Sequence, residues 1–260
     1  MNIESLLNKY PKKRPPLTQK HKDIFAKEYK ENRDGEGFIR GLAQRAESWM
    51  HKQVASHSYN APTTLEIGAG TLNQLKHEKN NGAYDIIEPF KHLYTNNPKL
   101  DQIRHVYDDM GLLPDETHVY DRIISVAVLE HLEELPYNLA RSCLLLKKDG
   151  SFQAGIPSEG GFLWGLGWRL TTGLGYYLRN KISYKTLMEH EHINDIDEML
   201  NLTRYFFSDV TIHYFPIPGK HLSLYAYIAA KNPNKSRALE YLKSYTPIAI
   251  STPKASKKAS

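Results

Sequence analysis

Residues 64–73 read Thr-Leu-Glu-Ile-Gly-Ala-Gly-Thr-Leu-Asn, and this stretch decides the fold class. Its first half, Thr64–Ile67, is a short apolar run typical of a buried strand, and Gly68 and Gly70 follow directly. Glycines at a strand end let the backbone approach a ligand closely, with the amide groups of a following helix facing that ligand. The pattern therefore predicts a strand, a ligand-binding glycine turn and then a helix.

The glycine turn does not match the two common nucleotide-binding fingerprints. A dinucleotide site would require a third glycine at Asn73, and a phosphate-cradling loop would continue into Gly-Lys-Ser or Gly-Lys-Thr. Glu66, two residues before Gly68, also suits a positively charged ligand better than a pyrophosphate. We therefore disfavour an oxidoreductase that uses a nicotinamide cofactor.

Further apolar runs alternate with amphipathic segments and extend the predicted sheet. The additional strands are Tyr84–Ile87, Ile103–Tyr107, Arg122–Val128, Ser151–Ile156, Val210–Phe215 and Leu222–Ala229. Such alternation is typical of a parallel α/β sheet. The short connection 216–221 makes the last two runs an antiparallel hairpin, so the sheet ends in one reversed strand. A helix capped by Asn194 or Asp195 precedes this hairpin.

Polar residues follow the predicted strands at their carboxyl ends, which meet at one edge of a parallel sheet. Glu88 ends the second strand, where a carboxylate can accept both hydroxyls of a ribose. Asp108 and Asp109 end the third strand, and Glu130 and His131 follow the fourth. This ordered set predicts a ligand site at that edge.

The ordered set resembles the class I S-adenosylmethionine-dependent methyltransferases, in particular the type 11-like group with Leu-Glu-His-Leu after strand four, here residues 129–132. The resemblance covers about residues 63–230 and implies a Rossmann-like, mostly parallel sheet of seven strands, with an antiparallel last strand and helices on both faces. It also implies S-adenosyl-L-methionine as the cofactor. Leu72 departs from the family pattern, which often has a third glycine there.

The resemblance assigns the cofactor contacts residue by residue. Glu66, Gly68 and Gly70 would lie along the methionine part, and Ala69 would be a further cofactor contact. Glu88 would hold the ribose hydroxyls, and Asp109 rather than Asp108 would face the adenine. Ser125 and Ala127 would line the floor below the sulfonium.

Two histidines are candidate catalytic residues on the acceptor side. His131 follows strand four, and His192 lies just before the helix that starts near Asn194. His190 and His192 would share a face if the chain were extended, so a metal pair is conceivable. Because no cysteine is near, we favour an exposed helix cap or a substrate-contacting His192 and expect no metal.

The segment 158–192 is a predicted insertion that includes three candidate substrate-lid residues, Trp164, Trp168 and Tyr176. Leucines recur in it at helical spacing, at positions 163, 166, 170 and 174. A lid over the acceptor is the favoured interpretation. A plain core helix and an interfacial helix for a lipid-linked acceptor are the alternatives, since Trp beside Arg and Lys is typical of interfacial helices.

The remaining predictions concern domains and partners. We expect an N-terminal helical cap (1–60), the methyltransferase domain (61–232), and a C-terminal helix with a disordered basic tail (233–260). The net charge of +5 comes from the two ends, because residues 61–230 sum to −6. An acidic body argues against nucleic acid as a partner. The basic ends could touch an anionic membrane, although solvated, disordered ends are the favoured interpretation.

The predicted function is methyl transfer to an O or N acceptor of a small molecule, such as a glycan or a lipid-linked intermediate. The alternative is a noncatalytic cofactor-binding scaffold protein with the same fold. With only Cys143 and no apolar leader, the sequence predicts a cytoplasmic protein.

Overall fold

The structure, a computed structural model, describes residues 2–24, 38–56, 61–79, 82–114 and 117–245, with only the backbone of 38–46. Its strands are β1 (Thr63–Ile67), β2 (Ala83–Ile87), β3 (His105–Tyr107), β4 (Tyr120–Val126), β5 (Leu146–Pro157), β6 (Phe207–Pro216) and β7 (Ser223–Pro233). Its α-helices include α1 (Ile3–Leu7), α2 (Phe38–Ala55), α3 (Leu135–Leu145), α4 (Phe162–Trp168), α5 (Leu174–Asn180), α6 (Lys185–Glu191), α7 (Ile196–Phe206) and α8 (Lys235–Ser244).

The seven strands form one sheet in the order β3-β2-β1-β4-β5-β7-β6. Strands β1 to β5 pair in parallel, and β7 runs antiparallel to both β5 and β6. The predicted sheet and its reversed strand are confirmed. The strand order changes direction between β1 and β4, and sheets of this kind bind ligands at such a point.

Helices cover both faces of the sheet, as predicted. Helices α1, α3, α7 and α8 contribute to one apolar cluster, which includes Leu6, Leu139 and Ala238. Helix α2 covers the other face, where Met50 and Val54 pack in a second cluster with Ile86 and Ile124. Asp195 caps α7 and forms a capping box with Glu198, so the second of the two predicted caps is the correct one.

The prediction of a helix directly after the glycine turn is wrong. Within residues 68–79 the chain makes one 3-10 turn, Gln74–Lys76, before it reaches β2. The face on which that helix would pack is already covered by α2, because Ala69 and Leu72 share a cluster with Met50 and Val54. His51 of α2 also contacts the Gln74 side chain at 2.7 Å, which holds the turn against α2.

The basic N-terminal segment is ordered, which corrects the expectation of solvated, disordered ends. The Lys12 ammonium donates to Glu198 and to the carbonyl oxygen of Ile193. The Arg14 guanidinium donates to the carbonyl oxygen of His131 at 2.9 Å. These contacts fasten the segment across the carboxyl edge of the sheet. The predicted disordered tail lies outside the described residues, which end at Tyr245.

In the part of the chain that the structure describes, every helix is too short or too polar to cross a membrane.

Close packing between α2 and β5 generates a stability prediction at Gly155. A Cβ added to Gly155 would lie 2.7 Å from the Met50 Cβ, well inside van der Waals contact. We expect Gly155→Ala to lower the free energy of unfolding by about 1–3 kcal/mol, measured by urea titration. Gly167→Ala is the matched control, because its Cβ would meet only Leu224 at 3.6 Å. Equal stability of the two variants would contradict tight packing of α2 on β5.

Candidate active site

The glycine turn lies at the carboxyl end of β1 and has an unusual backbone. Gly68 and Gly70 have φ angles of 72° and 52°, values that glycine adopts without strain. Leu72 also has a positive φ of 60°, the conformation in which a third glycine would be unstrained. The Leu72 side chain is fully buried, and this burial offsets the backbone strain.

The Glu88 carboxylate closes the glycine turn from the end of β2. One of its oxygens accepts from the Gly70 amide at 2.7 Å, and the other accepts from the Phe90 amide at 2.9 Å. The parallel pairing of Ile67 with Ile87 places the two strand ends side by side. Glu88, predicted to hold a ribose, therefore sits against the turn that is predicted to hold the rest of the cofactor.

The Glu66 carboxyl lies inside the protein, on the face that α2 covers. It is 2% exposed, and the Tyr84 hydroxyl donates to it at 2.8 Å. Burial raises the pKa of Glu66 to about 8, with further raising by Glu78 and Glu88, while the Tyr84 bond and Arg122 lower it. Its predicted contact with the cofactor remains a prediction.

Ala69, Ser125 and Ala127 lie close to the same strand ends. Ala69 is buried, and the hydroxyl of Ser125 donates to the Ile67 carbonyl oxygen at 3.3 Å, so it ties β4 to β1. Ala127 has a positive φ of 53°, and its amide donates to Gly155. The chain therefore turns sharply directly after β4.

The two aspartates after β3 occupy different environments. Asp108 is exposed and lies 3.4 Å from the Lys91 ammonium. Asp109 is less exposed, and its carboxylate accepts from the Gly111 amide at 2.7 Å. That bond fixes the Asp109 side chain at the strand end, and its contact with the adenine stays a prediction.

The structure brings His192 together with two residues of the insertion. His192 Nδ1 donates to the Glu159 carboxylate at 2.8 Å, and the Trp164 indole N–H donates to the same oxygen. The Trp164 ring also stacks on His192, with centroids 6.1 Å apart. A carboxylate that accepts from Nδ1 leaves the Nε2 lone pair of His192 available to take a proton.

The ring of His131 meets the ring of His192 edge to face, with centroids 4.9 Å apart. His131 Nδ1 donates to the Glu191 carbonyl oxygen at 2.7 Å. Beside it, burial raises the pKa of Glu130 to about 7, while the neighbouring His131 lowers it. The two predicted catalytic histidines therefore share one cluster at the carboxyl ends of β4 and β5.

Backbone hydrogen bonds hold this cluster in place. The amides of Ile193 and Asn194 both donate to the Glu130 carbonyl oxygen, at 2.9 and 3.1 Å. The side-chain amide of Asn194 donates to the carbonyl oxygens of Leu129 and Leu132, both at 2.8 Å. The amide of Ile196 donates to the Glu159 carbonyl oxygen at 3.1 Å.

Sequence reasoning missed Glu159 as part of the site, and it placed Glu130 at the right sheet edge without giving its carboxyl a role. Glu159 follows β5 as Glu88 follows β2, so the position of a carboxylate after a strand was a usable signal. Glu130 lies within the Leu-Glu-His-Leu motif, but nothing in that motif indicates burial of its carboxyl.

The conceivable metal pair of His190 and His192 does not form a common site. The His190 ring contacts the Pro15 carbonyl oxygen at 2.7 Å, whereas the His192 ring contacts Glu159. Across the described residues, no three side chains of His, Cys, Asp or Glu group as they would around a metal ion.

Two adjoining cavities lie within the insertion, between its helices α4 and α5 on one side and α6 on the other. The first, of about 250 Å³, reaches from Glu159 and His192 to Trp168, Arg169 and Lys185. The second, of about 410 Å³, shares those last three residues and continues to Leu174, Tyr177 and Tyr184. Together they form a groove with a polar end at His192 and a more apolar far end.

The three predicted lid residues lie in different parts of the insertion. Trp164 contacts the histidine cluster, Trp168 lines both cavities, and Tyr176 is buried beside Tyr184. Leu166, Leu170 and Leu174 are exposed, so the alternative of a plain core helix is wrong.

Comparisons with known proteins agree with this geometry at the level of the fold. No protein-family model and no curated protein sequence matches the chain. Solved structures do match. One is a possible histamine N-methyltransferase from Thermotoga maritima, with a TM-score of 0.51 and 16% sequence identity. The match covers 75% of this chain and 96% of the Thermotoga chain.

Two further structures have a TM-score of 0.50. The plantazolicin methyltransferase BpumL, in complex with a monoazolic desmethylPZN analog and S-adenosylhomocysteine, is 12% identical, and the match covers 81% of this chain and 90% of the BpumL chain. The CurJ carbon methyltransferase is 20% identical over 72% of this chain, which spans only 55% of the CurJ chain. The fold is therefore that of the class I S-adenosylmethionine-dependent methyltransferases. Membership of the type 11-like group stays a prediction.

The buried Glu66 carboxyl predicts a pH-dependent loss of stability. In the unfolded chain Glu66 ionises near pH 4.5, whereas in the folded protein it stays protonated up to about pH 8. Folding therefore retains a proton between these values, so stability falls as the pH rises from 4.5 to 8. Glu66→Gln keeps a side-chain oxygen that can accept from the Tyr84 hydroxyl, and it removes the carboxyl whose ionisation lowers the stability at high pH. We expect the Tm of the variant to exceed that of the wild type by about 5 °C or more at pH 9, and by less at pH 5.

The comparison is made by thermal denaturation of both proteins at each pH. Glu240→Gln, which changes an exposed carboxyl, is the control. A Tm difference for Glu66→Gln that is the same at pH 5 and pH 9 would argue against a protonated, buried Glu66.

Proposed function

We propose that the protein is an enzyme that transfers a methyl group from S-adenosylmethionine to an O or N atom of a small molecule. The observation that carries this proposal is the glycine turn of β1 closed by the Glu88 carboxylate at the switch point of a methyltransferase-type sheet. The histidine cluster beside the same edge supplies the group that would receive the acceptor's proton.

The residues of the turn fit the cofactor. A Cβ built on Gly70 meets no atom within 4 Å, so the turn faces open space there. A Cβ on Gly68 would lie 2.4 Å from a Val128 methyl carbon, so only glycine allows the backbone to come this close to the chain that follows β4. Each Glu88 oxygen accepts one backbone amide and retains a second acceptor site for a ribose hydroxyl. Asp109 and Ala127 lie at the neighbouring strand ends.

When bound, the cofactor would supply a methyl group on a positively charged sulfur. The residues of this chain orient the acceptor in line with that methyl group and exclude water. His192, held by Glu159, would accept the acceptor's proton at Nε2. Trp164 fixes the plane of the His192 ring by stacking and covers it from solvent. His131 meets the same ring at its edge and limits its movement.

The acceptor class follows from the groove beside His192. Its polar end suits the reacting O or N atom, while Trp168, Leu174 and Tyr177 suit an apolar or ring-containing part. A lipid-linked or glycan-type intermediate has this amphiphilic character. The acidic body continues to argue against a nucleic acid. The cytoplasmic location stays a prediction.

The first experiment on this proposal is calorimetric titration with S-adenosylhomocysteine. We expect wild-type protein to bind with a micromolar Kd and NAD not to bind. Glu88→Ala and Asp109→Ala should each weaken binding about tenfold or more, because each removes a hydrogen bond to a charged group. Asp108→Ala, the adjacent exposed carboxylate, is the matched control and should bind as the wild type does.

Absence of binding to folded wild-type protein would overturn the cofactor assignment. Binding without any methyl transfer in a broad acceptor screen would favour the alternative of a noncatalytic cofactor-binding scaffold.

The role of His192 is tested by the rate of methyl transfer to an acceptor found in that screen. We expect His192→Asn to lower kcat about 100-fold or more, since it removes the proton acceptor, and to leave S-adenosylhomocysteine affinity unchanged. Glu159→Gln should lower kcat less, because the ring loses only its orienting carboxylate. His190→Asn is the control, as its ring contacts Pro15. If His192→Asn and His190→Asn had equal rates, His192 would not be the base.

A further inference from the structure

The insertion carries an unusual exposed apolar surface, which we call the apolar helix face. It consists of six large side chains that are 39–68% exposed: Phe162, Leu166, Leu170, Leu174, Tyr177 and Leu178. The described residues hold twelve exposed large hydrophobic side chains, and half of them fall within this stretch of 17 residues. Single exposed apolar residues are ordinary, but a contiguous group of this size marks an interaction surface.

Backbone geometry keeps these side chains on one side of the insertion. Helices α4 and α5 are joined by a π-helical turn, Arg169–Gly173, into one helical segment. In an α-helix each step of four residues advances by about 40° around the axis, so a row at that spacing drifts sideways. A π-helical turn contains more residues than an α-helical turn, so a step of four residues across Arg169–Gly173 does not add to this sideways shift. Leu166, Leu170 and Leu174 therefore remain nearly in line.

The face continues onto the neighbouring hairpin. The turn Lys220–Leu222, which connects β6 to β7, packs against α4. Leu222 and the nearby Ile217 are 52% and 50% exposed. The apolar surface is therefore broader than a single helix.

The charge of the insertion indicates what covers this surface. The stretch 160–188 of the insertion contains four cations, Arg169, Arg179, Lys181 and Lys185, and no Asp or Glu. The three carboxylates of the insertion, Glu159, Glu189 and Glu191, lie at its two ends, where Glu189 pairs with Lys185. This positive segment belongs to a body, residues 61–230, whose net charge is −6. Exposed leucines and aromatic residues flanked by Lys and Arg are complementary to an anionic bilayer surface, where apolar groups enter the acyl boundary and cations meet the headgroups.

We propose that the apolar helix face lies on an anionic membrane surface and holds the protein there peripherally. A second copy of the chain fits less well, because two such faces would bring like charges together, among them Arg179 and Lys181 of each copy.

The position of the face also gives a route for the acceptor, in a step that rests on the proposed function. Leu174 and Tyr177 belong to the face and line the second cavity. That cavity shares Trp168, Arg169 and Lys185 with the cavity that ends at His192. An amphiphile could pass from the bilayer along this groove with its reactive end toward His192 and without crossing bulk water.

Co-sedimentation with vesicles tests the membrane contact. We expect wild-type protein to bind vesicles of 70% phosphatidylcholine and 30% phosphatidylglycerol, and to bind pure phosphatidylcholine at least about tenfold more weakly. Leu170→Asp should lower the partition coefficient about tenfold or more. Leu239→Asp, the same change at an exposed leucine of α8, is the matched control and should bind as the wild type does.

A second pair of variants tests the cations. Arg179→Gln with Lys181→Gln should remove most of the preference for anionic vesicles, whereas Lys231→Gln with Lys243→Gln should not. Failure of the wild type to sediment, or equal binding by Leu170→Asp and Leu239→Asp, would overturn the proposal. So would a wild-type dimer, seen by light scattering, that Leu170→Asp converts to a monomer.

Calorimetry with S-adenosylhomocysteine on the same samples separates this proposal from the proposed function. Normal cofactor binding without vesicle binding would refute the membrane contact alone. Vesicle binding without cofactor binding would refute the methyltransferase proposal alone.

Discussion

Parallel pairing of β1 with β2 on one side and β4 on the other is the constraint on which the site depends. Ile67 is paired with both Ile87 and Ser125, so three strands end at the same level. Only then can the Glu88 carboxylate reach the Gly70 amide and the Ser125 hydroxyl reach the Ile67 carbonyl oxygen. A slip of one residue would turn Glu88 toward the opposite face of the sheet and break the closure of the turn.

The two faces of the sheet support this edge in different ways. One face is a continuous apolar cluster formed largely by α3 and α7. The other face contains Glu66 and Arg122, both almost fully buried, beneath α2. Arg122 pairs with Glu78 at 2.7 Å, because an unpaired charge in such a place is costly. Burial raises the pKa of Glu66 to about 8, so that its carboxyl is protonated at neutral pH. The neutral Glu66 can then support β1 without opposing the negative charge of Glu88 nearby.

Much of the fold and part of the site could be predicted from the sequence. The first three strands were predictable because each is a short apolar run followed directly by a glycine or an acidic residue, namely Gly68, Glu88 and Asp108. The reversed strand followed from the short connection at 216–221. The absence of a helix at residues 68–79, after the glycine turn, was not predictable. It depends on the packing of α2, which comes from an earlier part of the chain, against that face of the sheet. The exposure of Leu166 and Leu170 was likewise undecidable, because a helical spacing of leucines does not reveal which side has a partner.

The pairing of His192 with Glu159 shows the same limit within the site. The two residues are 33 positions apart, at the two ends of an insertion whose path no local pattern specifies. Their contact depends on backbone bonds from residues 193, 194 and 196, which hold the end of the insertion against the ends of β4 and β5. The cofactor side of the site is therefore built from strand ends, whereas the acceptor side is built from the insertion. The turn Lys220–Leu222 packs against α4 of the insertion, and His190 contacts the Pro15 carbonyl oxygen. Because the cofactor side and the acceptor side are built from different elements, changes in α4 and α5 can alter the acceptor groove while the glycine turn keeps its geometry.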